Sequence, residues 1–202
     1  MLVKICGITT KEAADAAVDA GADFLGFVFA ESKRRITPSE AAVIAADVPQ
    51  SVKKVGVFVN ESPQRMIGIA ERVGLDFLQL HGDEPPSFAK ELPYKIIKAF
   101  PAQKENLGKI RSFPCEYFLV DTPGVTLRGG SGETFDWSIL EASGIEREKM
   151  ILAGGLTPEN VRTAIETVNP AIVDVSSGVE TSGRKDPDKI RKFIEMAKGK
   201  KG

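Results

Sequence analysis

An alternation that hardly varies along the chain constrains its fold most: a short run rich in Val, Ile, Leu and Phe, then a helix-start signal, eight times over. The runs are Leu2 to Cys6, Phe24 to Phe29, Lys53 to Phe58, Phe77 to Leu80, Lys95 to Ala99, Tyr117 to Asp121, Met150 to Ala153 and Ala171 to Val175. Several helix starts are explicit, because an N-cap oxygen precedes a proline at the first helical position: Thr37-Pro38, Ser62-Pro63, Thr157-Pro158 and Asp186-Pro187. Thr9 with Glu12, and Thr37 with Glu40, have capping-box spacing. Gly21-Ala22-Asp23-Phe24-Leu25-Gly26 is echoed by Gly74-Leu75-Asp76-Phe77-Leu78-Gln79, a glycine ending a helix and Asp-Phe-Leu opening a strand. Eight such units in 202 residues predict an α/β fold, a (β/α)8 TIM barrel filling residues 1–202 as a single domain. A doubly wound sheet would need fewer strands and a dinucleotide-type glycine loop after the first.

Composition removes several function classes. Lys plus Arg number 27 against 28 Asp plus Glu, and the formal net charge of -1 offers no general pull toward nucleic acid or an anionic membrane. No apolar run approaches the ~20 residues of a membrane span, and the basic tail at 198–202 reads as a solvated end. Cys6 and Cys115 are neither a CxxC pair nor a disulfide framework. The chain opens on a strand instead of a signal peptide, so a cytoplasmic location is expected.

Strand parity then points to a site. Alternate side chains of a barrel strand face the interior or the helix layer, and the polar residues cluster on one parity. Lys4 and Cys6 share a face, as do Gln79 and His81, Leu119 and Asp121, Asp174 and Ser176; Ile5, Leu80, Val120 and Val175 are expected to meet the helices. Chemistry in such barrels sits at the C-terminal strand ends, where Cys6, His81, Asp121 and Ser176 would converge. A free cysteine is ordinarily a small buried hydrophobe; at a strand tip before the turning Gly7 it is also placed to act as base or nucleophile.

Two small-residue turns, Ala153-Gly154-Gly155-Leu156-Thr157 and Val175-Ser176-Ser177-Gly178-Val179, follow the seventh and eighth strands. Loops at these positions are the usual phosphate cradle of the fold, so the expected ligand is a phosphorylated small molecule held by the backbone N–H groups of these two turns. Gly129-Gly130-Ser131-Gly132-Glu133-Thr134 lacks the Lys of a nucleotide P-loop. The glycine-rich stretch from Thr122 to Phe135 is long for a strand-to-helix connection and suits a loop closing over a site. Trp137 after it reads as a helix-packing anchor. Ser32-Lys33-Arg34-Arg35 could set a guanidinium at the barrel mouth against a substrate carboxylate, or could be solvated charge. His81, the only histidine, does not make a zinc site with the available Cys and Asp, and no metal is expected. Cys115, before the sixth strand, reads as structural. A thiol and a carboxylate across one barrel mouth suggest proton transfer between two faces of a substrate, which is isomerase chemistry.

The pattern has a relative. Lys4-Ile5-Cys6-Gly7-Ile8-Thr9, Gly26-Phe27-Val28-Phe29, Ser32-Lys33-Arg34, Val55-Gly56-Val57-Phe58-Val59-Asn60, Gln79-Leu80-His81-Gly82, Asp121-Thr122, Gly129-Gly130-Ser131-Gly132 with Phe135-Asp136-Trp137, Ala153-Gly154-Gly155-Leu156 and Asp174-Val175-Ser176-Ser177-Gly178-Val179-Glu180 together resemble the phosphoribosylanthranilate isomerases of tryptophan biosynthesis, in order and through nearly the whole chain. The resemblance implies a (β/α)8 barrel without a cofactor. It implies an Amadori rearrangement of N-(5-phosphoribosyl)anthranilate to 1-(2-carboxyphenylamino)-1-deoxyribulose 5-phosphate, with Asp121 as general acid and Cys6 as general base. Arg34 matches the position that clamps the anthranilate carboxylate, although Arg35 beside it replaces a residue that is often aromatic. Gln79, His81 and Asp174 would line the site. Lys4 would either hold the Cys6 thiolate or pair structurally with Asp174.

Other phosphate-binding barrels of the tryptophan and histidine pathways lack the Lys-Ile-Cys-Gly opening. A sugar-phosphate-binding barrel without activity would have no use for both Cys6 and Asp121. The oligomeric state is left open.

Overall fold

The computed structural model describes residues 1–103, 106–121, 137 and 145–199. Each apolar run becomes a parallel strand: β1 (Leu2–Cys6), β2 (Phe24–Val28), β3 (Lys53–Phe58), β4 (Phe77–Leu80), β5 (Lys95–Pro101), β6 (Tyr117–Asp121), β7 (Met150–Leu152) and β8 (Ile172–Val175). They pair in chain order, and β8 closes on β1 with Lys4 opposite Asp174. The helices are α1 (Lys11–Asp19), α2 (Pro38–Ala45), α3 (Pro63–Val73), α4 (Pro86–Lys90), α5 (Leu107–Ser112), α6 (Val161–Val168) and α7 (Pro187–Lys198). Between β8 and α7, β9 (Glu180–Thr181) and β10 (Arg184–Lys185) form a small antiparallel hairpin. The candidate closing loop from Thr122 to Phe135 and the helix expected after Trp137 lie outside the described residues.

Parity separates two cores. Ile5, Leu80, Val120 and Val175 face outward into a layer shared with the helices, together with Val3, Leu25, Phe27 and Val173. The opposite parity fills the barrel with Phe24, Val55, Phe77, Ile97, Leu119, Ile151 and Ile172. Phe24 and Phe77 meet edge to face at 5.8 Å, with Tyr117 against both, so the barrel interior is packed there. Burying each such ring stabilises the fold by roughly 1.5–3 kcal/mol. The sulfur of Cys115 and the indole of Trp137 are partly buried against the outer core, in line with their structural reading.

The internal echo has a physical cause. Gly21 and Gly74 both take positive φ, and Gly74 caps α3 in the left-handed region. The aspartate that follows each reaches back to the preceding strand: Asp23 Oδ2 accepts from the Val3 N–H and Asp76 Oδ2 from the Lys54 N–H, both at 2.8 Å. Each carboxylate satisfies a backbone donor at the start of a strand.

Two helix starts differ from expectation. Thr10, not Thr9, caps α1 and accepts from the Ala13 N–H at 3.2 Å. Thr157-Pro158 opens a turn instead of a helix, and α6 begins after Asn160, whose Oδ1 accepts from the Thr157 N–H while its Nδ2 donates to the Gly155 carbonyl. Asn160 thereby ties the turn after β7 in place, a local bond that competes with an earlier helix start. The capping box of Thr37 with Glu40 and the Asp186 cap form as the spacing predicts.

Asp76→Ala should therefore cost about 1–2 kcal/mol, the penalty of orphaning a backbone N–H. Urea unfolding checks this: a lower midpoint at unchanged slope is expected, and an unchanged midpoint would deny the carboxylate its role.

Candidate active site

Cys6 ends β1, and the chain turns at once through Gly7, at φ +79°. A Cβ on Gly7 would stand 2.6 Å from Arg34 Cδ, so the bare backbone makes room for the arginine stem. Gly26, opposite Cys6 on β2, does the same for the thiol: a Cβ there would lie 2.9 Å from Cys6 Sγ and 3.2 Å from Lys4 Nζ. The sulfur and the ammonium thus share one crevice of the barrel interior.

Cys6, Arg34, Gln79, His81, Asp121 and Asp174 line one cavity of about 90 Å³ at the C-terminal strand ends. Arg35 does not line it; this side chain is exposed, and its backbone bridges to Val28. Asp121, Asp174, Gly154, Gly155, Ser176 and Ser177 border a second, adjoining cavity of about 30 Å³. Gly178 lines a neighbouring surface cleft together with Gly155 and Ser177, and a Cβ on it would overlap the Leu156 carbonyl oxygen, so the bare backbone lets the two turns approach.

Lys4 takes the structural partner. It is fully buried, and Nζ donates to Asp174 Oδ1 at 2.9 Å. Burial works against the Lys4 charge, but Asp174 and Cys6 outweigh it and hold the ammonium above its ordinary pKa. Burial pushes the Cys6 thiol up; Lys4 pulls it down, Asp174 pushes up again, and the net result is a raised pKa. At neutral pH the resting group is a thiol.

Gln79 on β4 and His81 just past it are joined by a 3.1 Å hydrogen-bond contact between Gln79 Nε2 and His81 Nδ1. The other ring nitrogen, Nε2, lies 3.7 Å from Asp121 Oδ2. Gln79 Oε1 is buried and has no hydrogen-bond partner among the described residues, leaving an acceptor for a ligand hydroxyl or N–H. The turn that carries His81 is pinned from below. Lys98 Nζ donates to the Gly82 carbonyl at 2.7 Å and to Glu84 Oε2 at 2.9 Å, and Glu84 in turn accepts from the Asn60 and Gly82 N–H groups.

Sequence reasoning missed that buried Lys98–Glu84 pair and a second one in the hairpin. Glu180 holds Arg34 through both carboxylate oxygens, at 2.6 and 3.0 Å, and also pairs with Lys185. Lys185 donates to the Ser176 carbonyl at 3.1 Å. The signal was Ser182-Gly183, a turn dipeptide midway between a Glu and a Lys. Among the described residues, no group of three or more His, Cys, Asp or Glu could hold a metal ion.

Comparison with known proteins points to one family. A protein-family model described as PRAI, N-(5'phosphoribosyl)anthranilate (PRA) isomerase, matches residues 3–196. An N-(5'-phosphoribosyl)anthranilate isomerase of Oceanobacillus iheyensis is 54% identical over 195 residues, covering 96% of this chain and 95% of that protein. The crystal structure of phosphoribosyl anthranilate isomerase from Thermotoga maritima superposes with a TM-score of 0.88 at 43% identity, covering 98% of this chain and 100% of that one. A further structure of such an isomerase, in complex with reduced 1-(o-carboxyphenylamino)-1-deoxyribulose 5-phosphate, gives a TM-score of 0.84 at 42% identity over the same shares.

The raised Cys6 pKa predicts that alkylation by iodoacetamide, followed by mass spectrometry in a Cys115→Ala background, gains rate only above the ordinary thiol range. Lys4→Met removes the ammonium and leaves Asp174 unpaired, two changes that both push the thiol further up. A midpoint unmoved by that substitution would show that Lys4 does not support the thiolate.

Proposed function

Because the chain belongs to the N-(5'-phosphoribosyl)anthranilate isomerase family, it is an isomerase of tryptophan biosynthesis, and we propose that Cys6 and Asp121 are its general base and general acid. The reaction is the Amadori rearrangement of N-(5-phosphoribosyl)anthranilate to 1-(2-carboxyphenylamino)-1-deoxyribulose 5-phosphate. One observation carries the assignment of roles: Cys6 and Asp121, on different strands, face one cavity together with Arg34, and that cavity adjoins the loops after β7 and β8.

Asp121 delivers its proton to the furanose ring oxygen as the bond from that oxygen to C1 breaks. The nitrogen lone pair forms the C1=N bond, and the ring opens to an iminium. Cys6, as thiolate, then takes the proton from C2, and the electron pair of that C–H bond moves into the C1–C2 bond while the C=N electrons return to nitrogen. The resulting enolamine tautomerises to the ketone. Nitrogen is the electron sink throughout, so the protein has only to position its groups and tune their proton affinity. The His81 ring, its Nε2 3.7 Å from Asp121 Oδ2, steadies that carboxylate once its proton has left.

Two anionic ends orient the substrate. The backbone amides around Gly154, Gly155, Ser176 and Ser177 receive the phosphate, with Gly178 supporting the Leu156 side of the cradle. Arg34 receives the anthranilate carboxylate, and Gln79 Oε1 takes a substrate hydroxyl or N–H. Asp174 acts through Lys4 and the floor of the cavity. A catalytic thiol needs a reducing compartment, which favours the cytoplasm; no described helix is long and apolar enough to cross a membrane.

Cys6→Ser and Asp121→Asn should each lower kcat by about a hundredfold or more while changing binding of the reduced product analogue little, as expected when only a proton-transfer group is lost. Loss of phosphoribosylanthranilate fluorescence measures turnover. Near-normal turnover in either variant removes that residue from its role, and a folded wild-type protein without turnover would defeat the reading as a whole.

A further inference from the structure

The hairpin between β8 and α7 holds a charged group that the mechanism above does not use. Glu180 does not line the cavity of Cys6, Arg34 and Asp121 but borders the neighbouring cleft on the Gly155 and Ser177 side, yet its carboxylate takes one edge of the Arg34 guanidinium: Nε donates to Oε1 at 2.6 Å and Nη2 to Oε2 at 3.0 Å. A guanidinium offers five N–H bonds along two usable edges. With Nε and one Nη2 hydrogen committed, the Nη1 edge remains, and it makes no hydrogen bond to another described residue. Arg34 itself lines the cavity, so this second edge is the one a planar carboxylate inside can meet.

Glu180 is also held from its other side. Lys185 pairs with it across the Ser182-Gly183 turn and donates on to the Ser176 carbonyl, next to the proposed phosphate cradle. Burial alone would raise the Glu180 carboxyl, but its hydrogen bonds to Arg34 and Lys185 prevail and keep it below the ordinary range, so it is an anion at neutral pH. An arginine without this partner would be free to sample many rotamers, and ordering a long side chain on binding costs about 0.5–1.5 kcal/mol.

We infer that Glu180 is a positioning residue for substrate selectivity: by occupying the Nε edge of Arg34, it presents the Nη edge to the aromatic carboxylate of the substrate. The inference rests on the reading of Arg34 as the carboxylate clamp. It makes preference for a carboxylated aniline over an unsubstituted one depend on a residue that touches neither.

The test uses two probes, the reduced product analogue 1-(2-carboxyphenylamino)-1-deoxyribitol 5-phosphate and the same molecule without the ring carboxylate, titrated calorimetrically. Glu180→Gln should weaken the carboxylated probe about tenfold and leave the other within about twofold, and it should raise KM far more than it lowers kcat. Glu180→Asp keeps the charge on a shorter arm and should lose selectivity only in part; it also provides a folded variant if the Gln form proves unstable. Equal loss for both probes, or no loss for either, overturns the inference. Arg34→Met is run in parallel. If it is selective and the Glu180 variants are not, only the Glu180 role falls; if Arg34→Met is itself unselective, the carboxylate clamp falls and this inference with it.

Discussion

Lys4 and Asp174 stand opposite each other in the register of the first and last strands, and their 2.9 Å ion pair is where closure of the sheet and the chemistry of the site meet. An ammonium at zero exposure costs several kcal/mol in lost hydration unless a partner repays it, and here the partner arrives from 170 residues away. A slip of β8 by one residue would turn Asp174 toward the helices and leave Lys4 stranded. The pair therefore specifies the seam register. Lys4 stands beside Cys6 on β1 itself, and closure adds the Asp174 carboxylate to that pair, so the full electrostatic setting of the thiol is a product of the completed fold.

That setting is a balance. Burial and the Asp174 charge make Cys6 a stronger base when ionised and a rarer one at neutral pH; Lys4 and Lys185 work the other way. A base that removes a proton next to an iminium gains from strength, because the driving force of the transfer rises with its pKa, and loses from scarcity of the ionised form. Lys4 within the crevice and Lys185 farther out limit that loss by favouring the thiolate. Lys4 is balanced by Asp174, whereas Lys185 shares the single Glu180 carboxylate with Arg34, so the hairpin side of the crevice keeps a net positive charge.

Most of the barrel could be read from periodicity, because strand parity is a local property of a regular element: Leu119 inside and Val120 outside follow from alternation alone. The same parity located Cys6, Gln79, His81, Asp121 and Asp174 on one interior, and the family pattern supplied roles. What resisted was polar structure made by contacts distant in sequence or by local competition. Lys98 lies on the outward parity of β5, where a helix-facing hydrophobe would be expected, and only the fold reveals Glu84 and two carbonyls waiting for it. Thr157-Pro158 carries the signature of a helix start, but Asn160 captures the Thr157 N–H and delays it. Arg34 and Arg35 were indistinguishable as letters; the bridge from Arg35 to Val28 fixes which neighbour turns inward.

The hairpin explains how a small cavity can govern a substrate that opens into a flexible chain. Once the furanose ring is broken, no internal constraint keeps C2 near Cys6, the proposed base, so its place must be set by the two ends. If the phosphate and the carboxylate are held as proposed, one short element reaches both holders: Glu180 grips Arg34, and three residues past Ser182 the Lys185 ammonium reaches the Ser176 carbonyl. Ser182 and Gly183 both take positive φ, the conformation that matches a tight turn to the twist of paired strands. A hairpin this short has little freedom to let its two ends drift apart. The spacing between the carboxylate clamp and the phosphate cradle is then a property of six residues of backbone, and the acid and base need only stand at the right points between them.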